Sequence, residues 1–338
     1  MFENVVQDKK VFTSKTFDLN NVDLHIAFGI SKNFTYPVGV LITSILENNK
    51  DMIIDFHIFV DDIITDAEKN RFKKLVELYK TCITIYYLNN RDFIGLNDAE
   101  FTIAAYYRFV IPYQLKDITD KFLYLDADMA AINSFRPFLE IDFRNKIACV
   151  VEDFKFSAAP NYKPILSKNN DGYFNSGMMY INLKAWMNYE VSEKCLKILR
   201  EVNENPASKE KYGYAFMCFD QDALNIVLKG HLIHLMPKFN YLCNISLKRN
   251  AHLHDVPKET IIIHYHGFNK PWHEWCFHPL ARYFRKYKAI SPWRDVPLDT
   301  SPTKYRQMRL YAKYFLHKKQ IYKALKWTIK SIQAKYNK

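Results

Sequence analysis

Phe122-Leu123-Tyr124-Leu125-Asp126-Ala127-Asp128 is an apolar run that ends in two carboxylates one residue apart. A short buried strand that hands over its polar groups at its carboxyl end belongs to an open α/β sheet, where ligands bind outside the carboxyl ends of the strands. The flanking sequence repeats the pattern. Residues 23–30, 53–60, 82–88 and 147–151 are further apolar or β-branched runs. Between them, residues 36–46 carry a helical pattern opened by Pro37, and residues 66–79 space Phe72, Leu75, Val76 and Tyr79 as one helix face. Residues 101–115 are helical as well. Strands alternating with helices of this length predict an open, largely parallel α/β sheet. Further on, 173–183 is apolar, 191–203 helical, 203–212 a polar loop, 220–229 a helix closed by Gly230, and 260–265 a strand.

Charge is distributed unevenly. The 338 residues carry 48 basic and 36 acidic side chains, a net of +12. From Thr300 to Lys338 there are eleven Lys and Arg and no acid, so residues 1–299 hold 37 against 36. A near-neutral body with a cationic tail excludes a protein that is basic over its whole surface. Six scattered cysteines without a C-x-x-C pair read as reduced thiols of a cytosolic protein, rather than as a zinc motif or a disulfide framework. No run of 18 apolar residues predicts a spanning helix, and no signal peptide is visible.

Four segments carry chemistry. Asp126 and Asp128 can converge on one hard divalent cation, Mn²⁺ or Mg²⁺, and such an ion can neutralise a leaving diphosphate; as an ordinary turn they would be solvated acids. In Ile261-Ile262-Ile263-His264-Tyr265-His266-Gly267-Phe268-Asn269-Lys270, His264 can complete an oxygen and nitrogen ligand set. Gly267 permits close approach of backbone to phosphate, and Lys270 can pair with it. Asp171-Gly172-Tyr173-Phe174-Asn175-Ser176-Gly177 sets polar groups into a buried run, where each needs a partner such as a sugar hydroxyl or a turn. Asp220-Gln221-Asp222 opens a helix, where Asp220 is either an N-cap or a ligand contact.

Together with Arg108 in Ala105-Tyr106-Tyr107-Arg108-Phe109 and the stretch Asn182-Leu183-Lys184-Ala185-Trp186, these motifs occur in an order that resembles glycosyltransferase family 8. The likeness is strongest to bacterial lipopolysaccharide core α-glucosyl- and α-galactosyltransferases. The resemblance implies one Rossmann-like, GT-A type domain over 20–280, with a mixed sheet flanked by helices, and a basic helical region over 281–338. It implies Asp126, Asp128 and His264 as metal ligands. Gly29, Ser31, Asn33, Arg108, Asp126, Ala127, Asp128, Asn175, Ser176, Asp220, Gln221, Gly267 and Lys270 would line the donor site, with Gln221, Asp220 and Asp153 at the reacting centre. Ser31 stands where the family usually has an Asp that reads uracil. His266 is a candidate acceptor contact.

The expected activity is a retaining, metal-dependent transfer of hexose from a UDP-sugar, glucose before galactose, to the outer core of lipopolysaccharide. In the tail, Met308, Tyr311, Phe315, Tyr322, Leu325, Ile329, Ile332 and Tyr336 recur at helical spacing, with a break expected at Lys318-Lys319. Such a basic amphipathic region, 303–338, suits an anionic membrane surface and a peripheral location on the inner face of the bacterial inner membrane. The competing readings are a nucleic-acid-binding tail, which lacks any recognisable binding fold and is not expected, and a metal-dependent phosphoesterase, which lacks the further ligands of a two-metal site.

Overall fold

The computed structural model describes residues 2, 4–96, 103–157, 172–205, 207, 212, 216, 218–245 and 254–336. Asp171 and half of the 203–212 loop (206 and 208–211) lie outside the described residues, although the preceding helix runs on to Glu204. In chain order the strands are β1 Val6–Thr13, β2 Leu24–Ile30, β3 Ile54–Val60, β4 Thr81–Leu88, β5 Lys121–Leu125, β6 Met129–Ala131, β7 Ala148–Glu152, β8 Phe174–Asn182, β9 Leu232–Leu235, β10 Tyr241–Leu242 and β11 Ile262–His264. The main sheet has the order β1-β4-β3-β2-β5-β8-β7-β9, and β10-β11-β6 form a small second sheet.

Strands β4, β3, β2 and β5 are parallel, as the alternating pattern predicts, but the sheet as a whole is mixed. β8 runs antiparallel to both of its neighbours, β5 and β7. A parallel neighbour needs a crossover that carries the chain back to the other end of the sheet. Here Glu152, the last residue of β7, pairs with Phe174, the first of β8, so the chain re-enters at the end it left. The consequence is functional: Asn175, Ser176 and Gly177 lie beside the carboxyl end of β5. The edge strand β1 was not expected, because Asp8, Lys9 and Lys10 break the apolar alternation. Those charges suit an edge, where they discourage pairing with another chain. β1 lies antiparallel to β4, with Lys9 4.8 Å from the centre of the Tyr86 ring.

Two apolar layers hold the sheet. On one face Ile26, Phe28, Phe56, Ile58, Ile83 and Ile85 pack with helices Thr35–Asn48 and Asp66–Leu78 and with Trp293. The second of these helices starts at Thr65, whose side chain accepts from Glu68 N–H at 3.2 Å. On the other face Ala27, Phe59 and Tyr86 meet Tyr107, Trp186 and helices Val191–Glu204 and Phe219–Val227. The helix expected over 101–115 is, in its described part, a 3₁₀ segment Ile103–Phe109 followed by a short α-helix Ile111–Leu115 with Pro112 in its first turn. Pro112 cannot donate to the preceding turn, so the two pieces do not merge.

The tail forms two helices, Tyr305–His317 and Ile321–Tyr336, separated at Lys318-Lys319, where Lys319 takes a φ of 58°. The first is docked on the body. Tyr311 and Phe315 are buried against Trp275, the Tyr311 and Tyr314 hydroxyls donate to Glu274, and Gln307 Nε2 donates to the Phe268 carbonyl. The second packs on the first through Ala324 and Trp327 and turns its larger apolar residues outward. Tyr322 is 82% exposed, Leu325 59%, Ile329 55% and Ile332 52%. The tail is therefore not one continuous apolar face: Tyr311 and Phe315 face the body, while Tyr322, Leu325, Ile329, Ile332 and Tyr336 face solvent.

Candidate functional site

Asp126, Asp128 and His264 converge where β5 ends and the small sheet begins. β5 delivers Asp126, whose N–H donates to Gly177 O at 2.8 Å. Asp128 precedes β6, and Met129 of β6 pairs with His264 of β11. The Asp128 carbonyl also accepts from Tyr265 N–H at 2.9 Å. Each of the three side chains offers a ligand atom, and all three atoms lie within 4.8 Å of one another. His264 Nε2 stands 3.2 Å from Asp128 Oδ1. His264 Nδ1 donates to Asn240 Oδ1 at 3.2 Å, which orients Nε2 towards the carboxylates. Gly177 forms the floor of the cluster. A Cβ there would fall 2.5 Å from His264 Cε1 and 2.7 Å from Asp126 Oδ2. Two carboxylates and an imidazole around a space that one methyl group would fill fit a divalent cation such as Mn²⁺ or Mg²⁺.

The cluster is strongly polarised. Lys270 Nζ donates to Asp128 Oδ2 and to the Tyr265 carbonyl. Burial opposes ionisation of Asp128, but Lys270 and His264 outweigh it and hold the carboxyl well below the usual range. Arg108, buried on the 3₁₀ segment, contacts Asp126 Oδ1 at 3.0 Å, Asp220 Oδ2 at 2.9 Å, the Tyr124 hydroxyl at 3.1 Å and Ser176 O at 3.1 Å. Burial alone would weaken its proton binding; Asp220, Tyr124 and Asp126 reverse this and keep it charged. Asp220 is pushed up to about 6, chiefly by burial, with Arg108 pulling the other way. It lies in the first turn of helix Phe219–Val227 and is not the cap, since Cys218 holds that position and Asp222 Oδ2 accepts the Cys218 N–H.

Gln221 is fixed on one side by three donors. Its Oε1 accepts from Ser176 N–H at 2.9 Å, from Ser176 Oγ at 3.3 Å and from Asn175 Nδ2 at 3.3 Å. Its Nε2 donates to the Tyr173 hydroxyl at 3.2 Å. Asn175 Oδ1 accepts from Gly177 N–H and from Asn240 Nδ2, both at 3.1 Å, and its Nδ2 lies 3.5 Å from buried Asp153. The structure thus joins Arg108, Asp126, Asp128, Asp153, Asn175, Ser176, Asp220, Gln221, His264 and Lys270 in one network. Gly29 borders it: a Cβ there would come within 3.0 Å of Ala104 O and 3.7 Å of the Tyr124 hydroxyl. Ala127 is buried between the two acids. Gly267 adopts a φ of 95°, which favours glycine, and a Cβ there would meet the Asn244 side chain at 2.8 Å. Ser31 and Asn33 lie on the turn after β2, and among the described residues no hydrogen bond links their side chains to the network.

Sequence reading missed three members. Tyr124 could have been found by parity, because it shares a strand face with Asp126 and its hydroxyl donates to Asp126 Oδ1 at 2.9 Å. Asn240, which orients His264, lies 24 residues before it in an unremarkable loop, and no local pattern marks it. Tyr173, whose hydroxyl donates to Asp222, reads in the sequence as one more aromatic in an apolar run.

Comparison with known proteins agrees with this geometry. Residues 25–276 match the glycosyl transferase family 8 model, and residues 278–335 match the family's C-terminal model. The lipopolysaccharide 1,3-galactosyltransferase of Salmonella typhimurium is 33% identical over 87% of this chain and 86% of its own length. The lipopolysaccharide glucosyltransferase WaaO of Escherichia coli is 34% identical over 89% of this chain and 88% of its own. The crystal structure of the galactosyltransferase LgtC with donor and acceptor sugar analogs superposes with a TM-score of 0.62 at 24% identity, over 84% of this chain and 99% of that one. That match identifies the mixed sheet and its flanking helices as the Rossmann-like GT-A fold. With the family model spanning most of the chain and relatives above 30% identity along nearly its whole length, this protein belongs to glycosyl transferase family 8.

Proposed function

We propose that this glycosyltransferase moves a hexose, glucose before galactose, from a UDP-sugar to the core oligosaccharide of lipopolysaccharide, with retention of anomeric configuration. The observation that carries the reading is the Asp126, Asp128 and His264 cluster closed by Gly177 beneath it and flanked by the Arg108 and Gln221 network. A divalent ion held by these three would supply a positive charge for the diphosphate of the donor. Lys270 and the Gly267 turn would bind the same diphosphate, the ammonium as a point charge and the turn by close backbone approach. Arg108, Asp220, Asp153 and Asn175 would orient the sugar hydroxyls.

Gln221 is read as a positioning group. An amide is a poor nucleophile, and its oxygen already accepts three hydrogen bonds. The acceptor hydroxyl would therefore attack from the side of the departing diphosphate. The bond from the anomeric carbon to the diphosphate oxygen breaks, the bond to the acceptor oxygen forms, and the acceptor proton passes to a diphosphate oxygen. Lys270 would stabilise the charge developing there. A panel of UDP-hexoses with product anomeric configuration read by NMR tests this. An α-linked product from an α-linked donor is expected, and a β-linked product would overturn retention.

Nearly equal identity to a galactosyltransferase and a glucosyltransferase leaves UDP-galactose as the second donor. For the tail, we infer attachment to the anionic inner face of the membrane. The outward row of Tyr322, Leu325, Ile329, Ile332 and Tyr336, interleaved with Lys323, Lys326, Lys330 and Lys335, supports it. A basic helix with an uncovered apolar stripe suits insertion into the headgroup layer. No described helix is long and apolar enough to cross a membrane.

A further inference from the structure

The first half of the sheet carries a second group of ligating side chains that the transfer reaction does not use. His25 on β2, Asp55 and His57 on β3 are all buried. They lie towards the amino ends of the parallel strands, away from the catalytic cluster, on the face that also carries Gly29. His25 and Asp55 are direct cross-strand partners. His25 Nδ1 stands 3.1 Å from His57 Nε2 and 3.5 Å from Asp55 Oδ2, and His57 Nε2 stands 3.4 Å from the same oxygen. These are the edges of a nearly equilateral triangle. For zinc bonds of about 2.0–2.1 Å, neighbouring ligand atoms of a tetrahedron lie about 3.3–3.4 Å apart, so the triangle matches one tetrahedral face.

We propose that His25 Nδ1, His57 Nε2 and Asp55 Oδ2 bind a structural divalent cation of the zinc type, which ties β2 to β3. Three further observations agree with this geometry. Among the described residues Asp55 Oδ1 has no hydrogen-bond partner, and a cation would stabilise a carboxylate so deeply buried. His57 is itself only 1% exposed, so its ring offers ligand atoms only to groups within the sheet. Its Nδ1 lies 3.1 Å from the Tyr86 hydroxyl, the outer partner that fixes which ring nitrogen faces the metal. Cys82, buried on β4 as the cross-strand partner of Asp55, lies outside this trio of ligand atoms, so a water or a shift of its thiol would fill the fourth position. The donor set of two imidazoles and a carboxylate suits zinc or cobalt better than calcium or magnesium.

The test uses the full chain with Asp128→Asn, which disables the catalytic cluster. The protein is stripped of metal and titrated with Co²⁺, and visible absorption is recorded. One tightly bound equivalent with the intense bands of tetrahedral Co²⁺, displaced by Zn²⁺, is expected. A thiolate charge-transfer band would add Cys82 to the ligands. The same spectrum should be lost in D128N/H57A and in D128N/H25A, and Zn²⁺ should raise the thermal midpoint of D128N but not of the double variants. Absence of tetrahedral bands in the folded D128N protein, or bands that survive both histidine substitutions, overturns the site.

Discussion

At the residue scale, the metal cluster depends on two positions whose importance is geometric. Gly177 leaves no room for a methyl group between His264 and Asp126. Gly177→Ala is expected to destabilise the protein by about 1–3 kcal/mol through overpacking and to abolish Mn²⁺ binding in calorimetry. Asn240 orients His264 from behind. Asn240→Ala should weaken Mn²⁺ binding by about 10–100-fold while leaving the fold unchanged by circular dichroism, because outer partners of metal ligands carry that much affinity. A third prediction concerns pH. The Asp220 carboxyl rises to about 6 in the folded chain from an ordinary 3.8. Between those values Asp220 holds more proton in the native state than in the unfolded one, so its contribution to the stability of the metal-free protein falls as pH rises from about 4 to about 6 and then levels. The thermal midpoint of Asp220→Asn should lack that decline. Most of these residues were legible as motif members in sequence, since Asp126, Asp128, His264 and Gln221 sit in local patterns. Asn240 and the His25, Asp55 and His57 triangle were not, because their meaning lies in contacts between strands.

At the scale of elements, the sequence pattern identified strands that are buried on both faces, namely β2, β3, β4, β5, β7 and β11. It missed β1, which is exposed along most of its length and shows no alternation of buried residues, and the short β6, β9 and β10. Strand direction was the other gap. Nothing in the composition of Phe174–Asn182 reveals that it runs antiparallel, yet that direction brings Asn175 and Ser176 to Gln221. In the tail, helical spacing marked the apolar residues but not which of them touch the body. Because Tyr311 and Phe315 are buried against Trp275, deletion from Thr303 would uncover the body, and the better probe removes 320–338 alone. That truncation, or Leu325→Glu with Ile329→Glu, should abolish sedimentation with anionic vesicles while UDP binding is retained. Undiminished sedimentation would contradict the membrane role.

For the whole molecule, the net charge of +12 is the sum of two unlike parts. The near-neutral body carries the acids around which a cation and a diphosphate can be ordered, and the last 39 residues carry the excess. Within that cationic part, the docked helix Tyr305–His317 differs from Ile321–Tyr336, whose apolar stripe and lysines both face outward. The tail is anchored beside the metal-fitting site, since Gln307 of the docked helix donates to the Phe268 carbonyl next to Gly267, and such proximity would suit a lipid-anchored acceptor. The most direct measurement is hexose transfer to truncated lipopolysaccharide by the full chain with UDP-glucose or UDP-galactose and Mn²⁺. Transfer that requires the metal and falls at least about a thousandfold in Asp128→Asn is predicted, in line with loss of charge stabilisation at a leaving group. No transfer from either donor, or full activity in the variant, would contradict it.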